Sequence, residues 1–418
     1  VAVLVLVLAA SCTSEPERRD LPDVDIDVSA AAPTTDAPSE GPTPTVASEV
    51  ADLPGRLAIV NATGDLVTMD PDGSGELVLD EVEVGRSQVR QPTWSPDGRS
   101  VGWVHVEITE AGSLSAAVAT SSGTGRRPTE ARTAVVPFYL SWDPTSTRIA
   151  YLGSPSEAAI ELGIVEVADR SAGTPLDTGR PLYLSWGPNG DELLVHVGED
   201  RLERLDLDGS PTPVAERPGA FSAPVWTADG RTLVYASIDA GDQRLVARGA
   251  QAGRERTLVP YDGLIAFVVS PESDRIAFQV LEPERTLPLS VIDVRTGDTV
   301  EITDHAIASF FWSPDGSRLL FLDAVPDAEQ FWYRWGVWDG TSSFLTPRFV
   351  PSELIAVDYL QYFEQYAQSM SLWSPDSSAF AYPGTNEDGE EGIWIQSARA
   401  DRAAVLVADG DFVAWSPV

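Results

Sequence analysis

Three histidines, one cysteine and 64 acids are the side chains of this 418-residue chain whose types suit metal binding or acid–base chemistry. His105, His196 and His305 fall in separate stretches, and no spacing places two of them on one element as metal ligands. No Gly-x-Ser-x-Gly elbow, Gly-rich phosphate loop or His-Glu-x-x-His is present. The run Asp70-Pro71-Asp72-Gly73-Ser74-Gly75-Glu76 has the acids of a calcium loop. It lacks the Gly at the sixth position and the ligands beyond it, so it reads as a hairpin turn. A carboxylate pair for glycoside cleavage depends on a three-dimensional meeting of acids that no stretch of this chain singles out. The expectation is therefore no catalytic residue, no metal and no cofactor.

The acids that do recur are Asp97, Asp229, Asp315 and Asp376, and each follows an aromatic anchor in a tight turn. Trp94-Ser95-Pro96-Asp97-Gly98 and Trp312-Ser313-Pro314-Asp315-Gly316 are the clearest copies. Trp142, Trp186, Trp226, Trp373 and Trp415 head weaker ones, and Val269 heads a degenerate one. Pro presets the second turn position, Asp tolerates the third and Gly takes the left-handed conformation that follows. These acids recur because the turn recurs, which makes them structural.

Successive anchors are about 40–50 residues apart, apart from one longer interval between Trp312 and Trp373. Short β-branched and aromatic runs between Gly/Pro punctuation fill each interval. A repeat of this length made of short strands is the signature of an all-β propeller with four-stranded blades. The chain stops on one inner-strand run, 411–415, while 56–79 reads as three strands without an inner one. Joining them would complete a blade and remove an exposed edge. The count is eight blades, or seven if the unit around Val269 merges with a neighbour. The anchoring Trp residues should pack between neighbouring sheets.

The repeat resembles that of TolB-type, WD-repeat-like propellers, across roughly residues 56–418. In that family Trp-Ser-Pro-Asp-Gly is followed by a strand ending in Ala-Phe or Ala-Tyr, then by a strand ending in Asp. Ile149-Ala150-Tyr151, Ile276-Ala277-Phe278 and Ala379-Phe380-Ala381-Tyr382 match the first of these. Met69-Asp70-Pro71-Asp72-Gly73 and Leu205-Asp206-Leu207-Asp208-Gly209 match the second. The resemblance implies an exported propeller and leaves its role open. The repeat is also similar to the propeller half of prolyl oligopeptidase-type enzymes.

Residues Val1 to Ala10 are wholly apolar, too few to span a bilayer as a helix and suited to a secretory signal. Small residues lead into Cys12, the single cysteine. This resembles a bacterial lipobox, which implies a signal segment over 1–12 and a lipid on Cys12; the alternative is an ordinary cleaved signal. Residues 13–51 are rich in Pro, Thr, Ser, Ala and acid, and read as a disordered tether ahead of a propeller domain at 52–418. All 28 basic residues are Arg, as in a high-GC bacterial gene. The net charge of −36 argues against nucleic-acid binding. The expected location is extracytoplasmic, lipid-anchored to the outer face of the cytoplasmic membrane, and the expected state is monomeric.

The long interval holds two insertions, one near 323–332 and one at 347–367. In the second, Ser352 can cap a helix on which Leu354, Val357, Leu360 and Phe363 share a face. Propeller connectivity brings both insertions to one rim, opposite the Ser-Pro-Asp-Gly turns, with the acidic loops 384–391 and 282–285 beside them. Trp332, Tyr359, Tyr362, Phe363 and Tyr366 are the candidate partner-binding residues. Two readings stand: a binding cap, or a plug whose aromatics are local core. Deleting 347–367 should leave a folded ring that no longer binds. The function expected is a non-catalytic, surface-anchored binding module for an envelope protein, peptide or glycan. The alternative is a polysaccharide hydrolase or lyase using carboxylates at the central channel.

Overall fold

The computed structural model describes residues 50–418 apart from 124, 126–127, 199, 216–217, 220–221, 252, 328–330 and 401. Cys12, the segment 1–12 and all but the end of the 13–51 stretch lie outside the described residues. The described residues belong to one compact unit.

Among the described residues, short antiparallel strands form six four-stranded sheets and one eight-stranded sheet. Strand order within a repeat follows the chain outward, as in Ser87–Trp94, Ser100–Ile108, Leu114–Ser122 and Thr129–Thr133. The closing sheet departs from this as expected. Its inner strand is the C-terminal Phe412–Trp415, paired antiparallel with Leu57–Val60 so that Leu57 faces Trp415 and Val60 faces Phe412. The protein is a β-propeller tied shut by the pairing of Phe412–Trp415 with Leu57–Val60, which removes a sheet edge that would otherwise stand open.

The eight-stranded sheet joins two repeats that the sequence counts separately. Phe349–Pro351, in the second insertion, pairs through Phe349 with Tyr333 on one side and with Gly384, Thr385 and Asn386 on the other. The inner strand that should start the last repeat is reduced to one bridge, Trp373 with Phe380.

The anchors hold neighbouring repeats together by a common rule. The indole N–H of Trp142 donates to the Thr93 carbonyl at 3.2 Å, just before Trp94. Trp186 does the same to Ser141 at 3.0 Å, Trp312 to Val268 at 3.0 Å and Trp373 to Phe311 at 3.4 Å. Trp94 closes the ring by donating to Ala414 at 3.1 Å, just before Trp415. Each Trp thus satisfies a carbonyl of the preceding inner strand while its rings fill the gap between sheets. Two anchors deviate. Trp415 donates to Pro54 at 2.9 Å, and Trp226 has a buried Nε1 without a partner, under Arg204 at 5.9 Å.

The recurrent acids brace their turns. Ser95 Oγ donates to Asp97 Oδ1 at 2.7 Å, and the Arg99 N–H donates to the same oxygen at 3.1 Å. Asp229, Asp315 and Asp376 repeat the pattern with Thr227, Ser313 and Ser374. Burial alone would raise the carboxyls of Asp97, Asp315 and Asp376, but these hydrogen bonds hold them below the usual value.

Candidate functional site

The second insertion leaves the eight-stranded sheet at Pro351 and enters the centre of the ring. Ser352 Oγ accepts from the Ile355 N–H at 3.4 Å and donates to the Asp411 carbonyl at 2.6 Å, so the expected cap forms and is tied to the closing loop. Beyond it the helix is not the regular one the spacing suggests. Ile355–Tyr359 is a π-turn, Leu360–Tyr362 is 3-10 and Phe363–Tyr366 is a single α-turn. The buried face is Ile355, Tyr359, Phe363 and Tyr366, while Val357 lies outward and is 51% exposed.

The insertion binds the inner edges of the sheets around it. An inner strand presents unpaired backbone groups to the channel, and a buried group of this kind costs free energy unless it finds a partner. Gln365 supplies one: the Leu184 N–H donates to its Oε1 at 2.8 Å, and its Nε2 donates to the Leu184 carbonyl at 2.7 Å. The same Nε2 reaches the Tyr139 hydroxyl at 2.9 Å. Glu364 Oε1 accepts from the Phe267 N–H at 2.9 Å, and Thr93 Oγ1 donates to the Ser369 carbonyl at 2.7 Å. The Tyr366 hydroxyl donates to Gln91 Oε1 at 2.9 Å. Gln91 sits at a strand irregularity with φ 55°, an uncommon conformation for a side-chain-bearing residue. One short segment thus contacts inner strands from several repeats.

Three of the five partner-binding candidates are inside this plug. Tyr359, Phe363 and Tyr366 are buried. Tyr359 packs on Tyr366 and Phe412 with ring centroids 4.4 and 5.0 Å away, and Phe363 on Phe310 at 4.8 Å. They cannot touch a partner while the plug is seated, because hydrophobic burial in the channel already uses their faces. The deletion of 347–367 is corrected with them: it would remove core aromatics and the Phe349–Pro351 strand, so an intact ring is not the expected product.

The other two candidates face outward. Tyr362 is 50% exposed. Trp332 is partly buried, with the Arg348 guanidinium 5.1 Å over its ring. Arg348 also pairs with Glu387 at 2.7 Å and Asp327 at 3.6 Å. It therefore draws the first insertion, the second insertion and the acidic 384–391 loop together on one rim. The 282–285 loop is closed by a local pair, Arg285 with Glu282 at 2.6 Å. Between the plug and the eight-stranded sheet lies a narrow apolar crevice lined by Trp335, Phe349, Tyr359 and Tyr382 among others.

Electrostatically the plug is acidic. Burial pushes the Glu364 carboxyl up to about 8, although the Phe267 N–H favours its charged form. Asp411 is also raised, by burial first and then by Glu391 and Glu353. The histidines stand apart from one another. His105 Nδ1 lies 2.7 Å from Asp80, which raises its pKa; burial lowers that of His196, although the Ser222 carbonyl 3.1 Å from its Nδ1 favours the charged form. His305 Nε2 lies 2.8 Å from the buried Asp323, which also binds Arg334 at 2.7 Å. No signal in the sequence pointed to Gln365, Glu364 or Arg348; their partners are all remote in the chain.

No protein-family model matches the chain, and no curated protein matches it either. Solved structures do resemble it. TolB from Acinetobacter baumannii matches with a TM-score of 0.42 and 13% identity over 67% of this chain and 75% of that one. The β-propeller domain of the Trilobed protease from Pyrococcus furiosus matches with a TM-score of 0.48 and 12% identity, over 78% of this chain and 99% of the domain. A prolyl endopeptidase matches with a TM-score of 0.51 and 13% identity over 79% of this chain, which spans half the length of that enzyme. At such identities the likeness concerns the fold alone.

Proposed function

We propose that this protein is a non-catalytic binding module, exported and held at the outer face of the cytoplasmic membrane by a lipid on Cys12. It recognises an envelope protein, peptide or glycan on the face bearing the two insertions. The observation that carries the binding reading is the filled channel. Glycoside hydrolysis at the channel needs two carboxylates facing an open cavity. Here Gln365, Tyr366 and Glu364 spend their polar groups on inner-strand partners. The outer rim, braced by Arg348, is left as the surface for recognition.

Two measurements test this. Mass spectrometry of the mature protein from a high-GC Gram-positive host should find a diacylated Cys12, and Cys12→Ser should release the protein from membranes. An unmodified Cys12 would remove the anchor from the proposal. Incubation with cell-wall and plant polysaccharides should give no cleavage products, and products that disappear in Glu364→Gln would overturn the non-catalytic role.

A further inference from the structure

The outward side of the plug carries an inference that rests on the binding reading and specifies its partner. We infer that the mouth of the plugged channel docks a cationic, partly apolar polypeptide segment of another protein. A segment that only had to fill the channel would present polar side chains to water. This one leaves Val357 51% and Tyr362 50% exposed, with Glu353, Asp358 and Gln361 exposed among them. Phe138 and Leu264 begin or nearly begin two inner strands, Pro137–Trp142 and Leu264–Val269, at the same end of the ring, and are 37% and 41% exposed. Tyr366 ties the Phe138 carbonyl to the plug at 3.2 Å, and Glu364 ties Phe267 to it. Exposed apolar side chains gathered at one mouth mark an interaction surface more than scattered ones do.

Charge selects the occupant. Residues 352–370 contain three acids and no Arg. Arg348 is engaged with Asp327 and Glu387, and among the described residues Glu353, Asp358, Glu391 and Asp411 have no ion pair. Glu353 and Glu391 press on Asp411, a repulsion that an incoming cation relieves. A second copy of this chain, at −36, is repelled from such a surface. So is its own 13–51 stretch, with nine acids and two Arg. An anionic membrane is disfavoured for the same reason. Lys and Arg would steer the segment to the mouth, and apolar side chains between them would settle on Tyr362 and Val357.

The test is calorimetric titration of the full-length protein with a short synthetic peptide alternating Arg with Leu and Trp. Oligolysine of equal charge is the control. The alternating peptide should bind more tightly than oligolysine. Val357→Ser with Tyr362→Ser should weaken it roughly tenfold. Glu353→Gln with Asp358→Asn should lower both its affinity and its salt dependence. All four positions are exposed, and near-UV circular dichroism checks that each variant stays folded. Equal binding of oligolysine, or an alternating peptide indifferent to the apolar double variant, overturns the inference. If a glycan fragment binds in a Tyr362-dependent way and cationic peptides do not, the inference fails while the binding-module reading stands. If glycan fragments and peptides alike ignore both double variants, the choice of face fails too.

Discussion

Glu364 links the plug to pH in a way that can be worked through. Its Oε1 accepts from the Phe267 N–H at 2.9 Å, and burial holds its carboxyl at about 8 against an ordinary 4.5. In the unfolded chain the group ionises near ~4.3. Between those values the folded protein keeps a proton that the unfolded chain has lost. Stability therefore falls as pH rises through this window and levels off above about 8. At ~1.36 kcal/mol per unit, the full displacement sets a ceiling of about 5 kcal/mol. Glu364 keeps partial solvent exposure, which screens the charge and brings the expected effect to roughly 2–3 kcal/mol. Glu364→Gln retains the acceptor oxygen and removes the ionisation. Urea unfolding of wild type and variant at pH 4.5, 7 and 9 should show a gap that grows with pH in favour of the variant. A gap that stays constant across the series would refute the reasoning, because a pH-independent difference cannot come from this proton.

The indole rule predicts that Trp142→Phe, which strands the Thr93 carbonyl, costs about 1–3 kcal/mol more than Trp226→Phe, whose Nε1 has no partner to lose; paired denaturation curves give the difference. Gln365→Leu leaves both backbone groups of Leu184 unpaired in the channel and should cost about 2–4 kcal/mol by the same measurement. Tyr359→Ala should cost about 3–5 kcal/mol, since it empties a packed site against Phe412 and Tyr366. Tyr362→Ala should change stability by no more than about 0.5 kcal/mol, and thermal melts of the two variants separate buried from outward aromatics.

Much of the architecture was legible because it rests on local and periodic chemistry. Ser-Pro-Asp-Gly specifies its own turn, and alternating apolar runs specify strands whichever blade they enter. Closure could be read from the ends because a lone inner strand and three strands lacking one are complementary by count. Placement of both insertions on one rim also followed, since hairpin connectivity fixes the face from which each loop emerges. The helical face of the plug did not follow. Leu354, Val357, Leu360 and Phe363 share a helical face in the sequence, but the segment is seated with Ile355, Tyr359, Phe363 and Tyr366 inward and Val357 outward.

The sequence by itself determined an all-β propeller, its inter-blade anchors and its acidic character, because each depends on short-range patterning or composition. Only the tertiary structure decided that the insertion fills the channel, and which of its aromatics remain outside. The partners that set this, Leu184, Tyr139, Phe267 and Gln91, lie on inner strands of different repeats. Their unpaired edges meet at one axis only after the ring has closed, and a pattern read along the chain carries no record of that meeting.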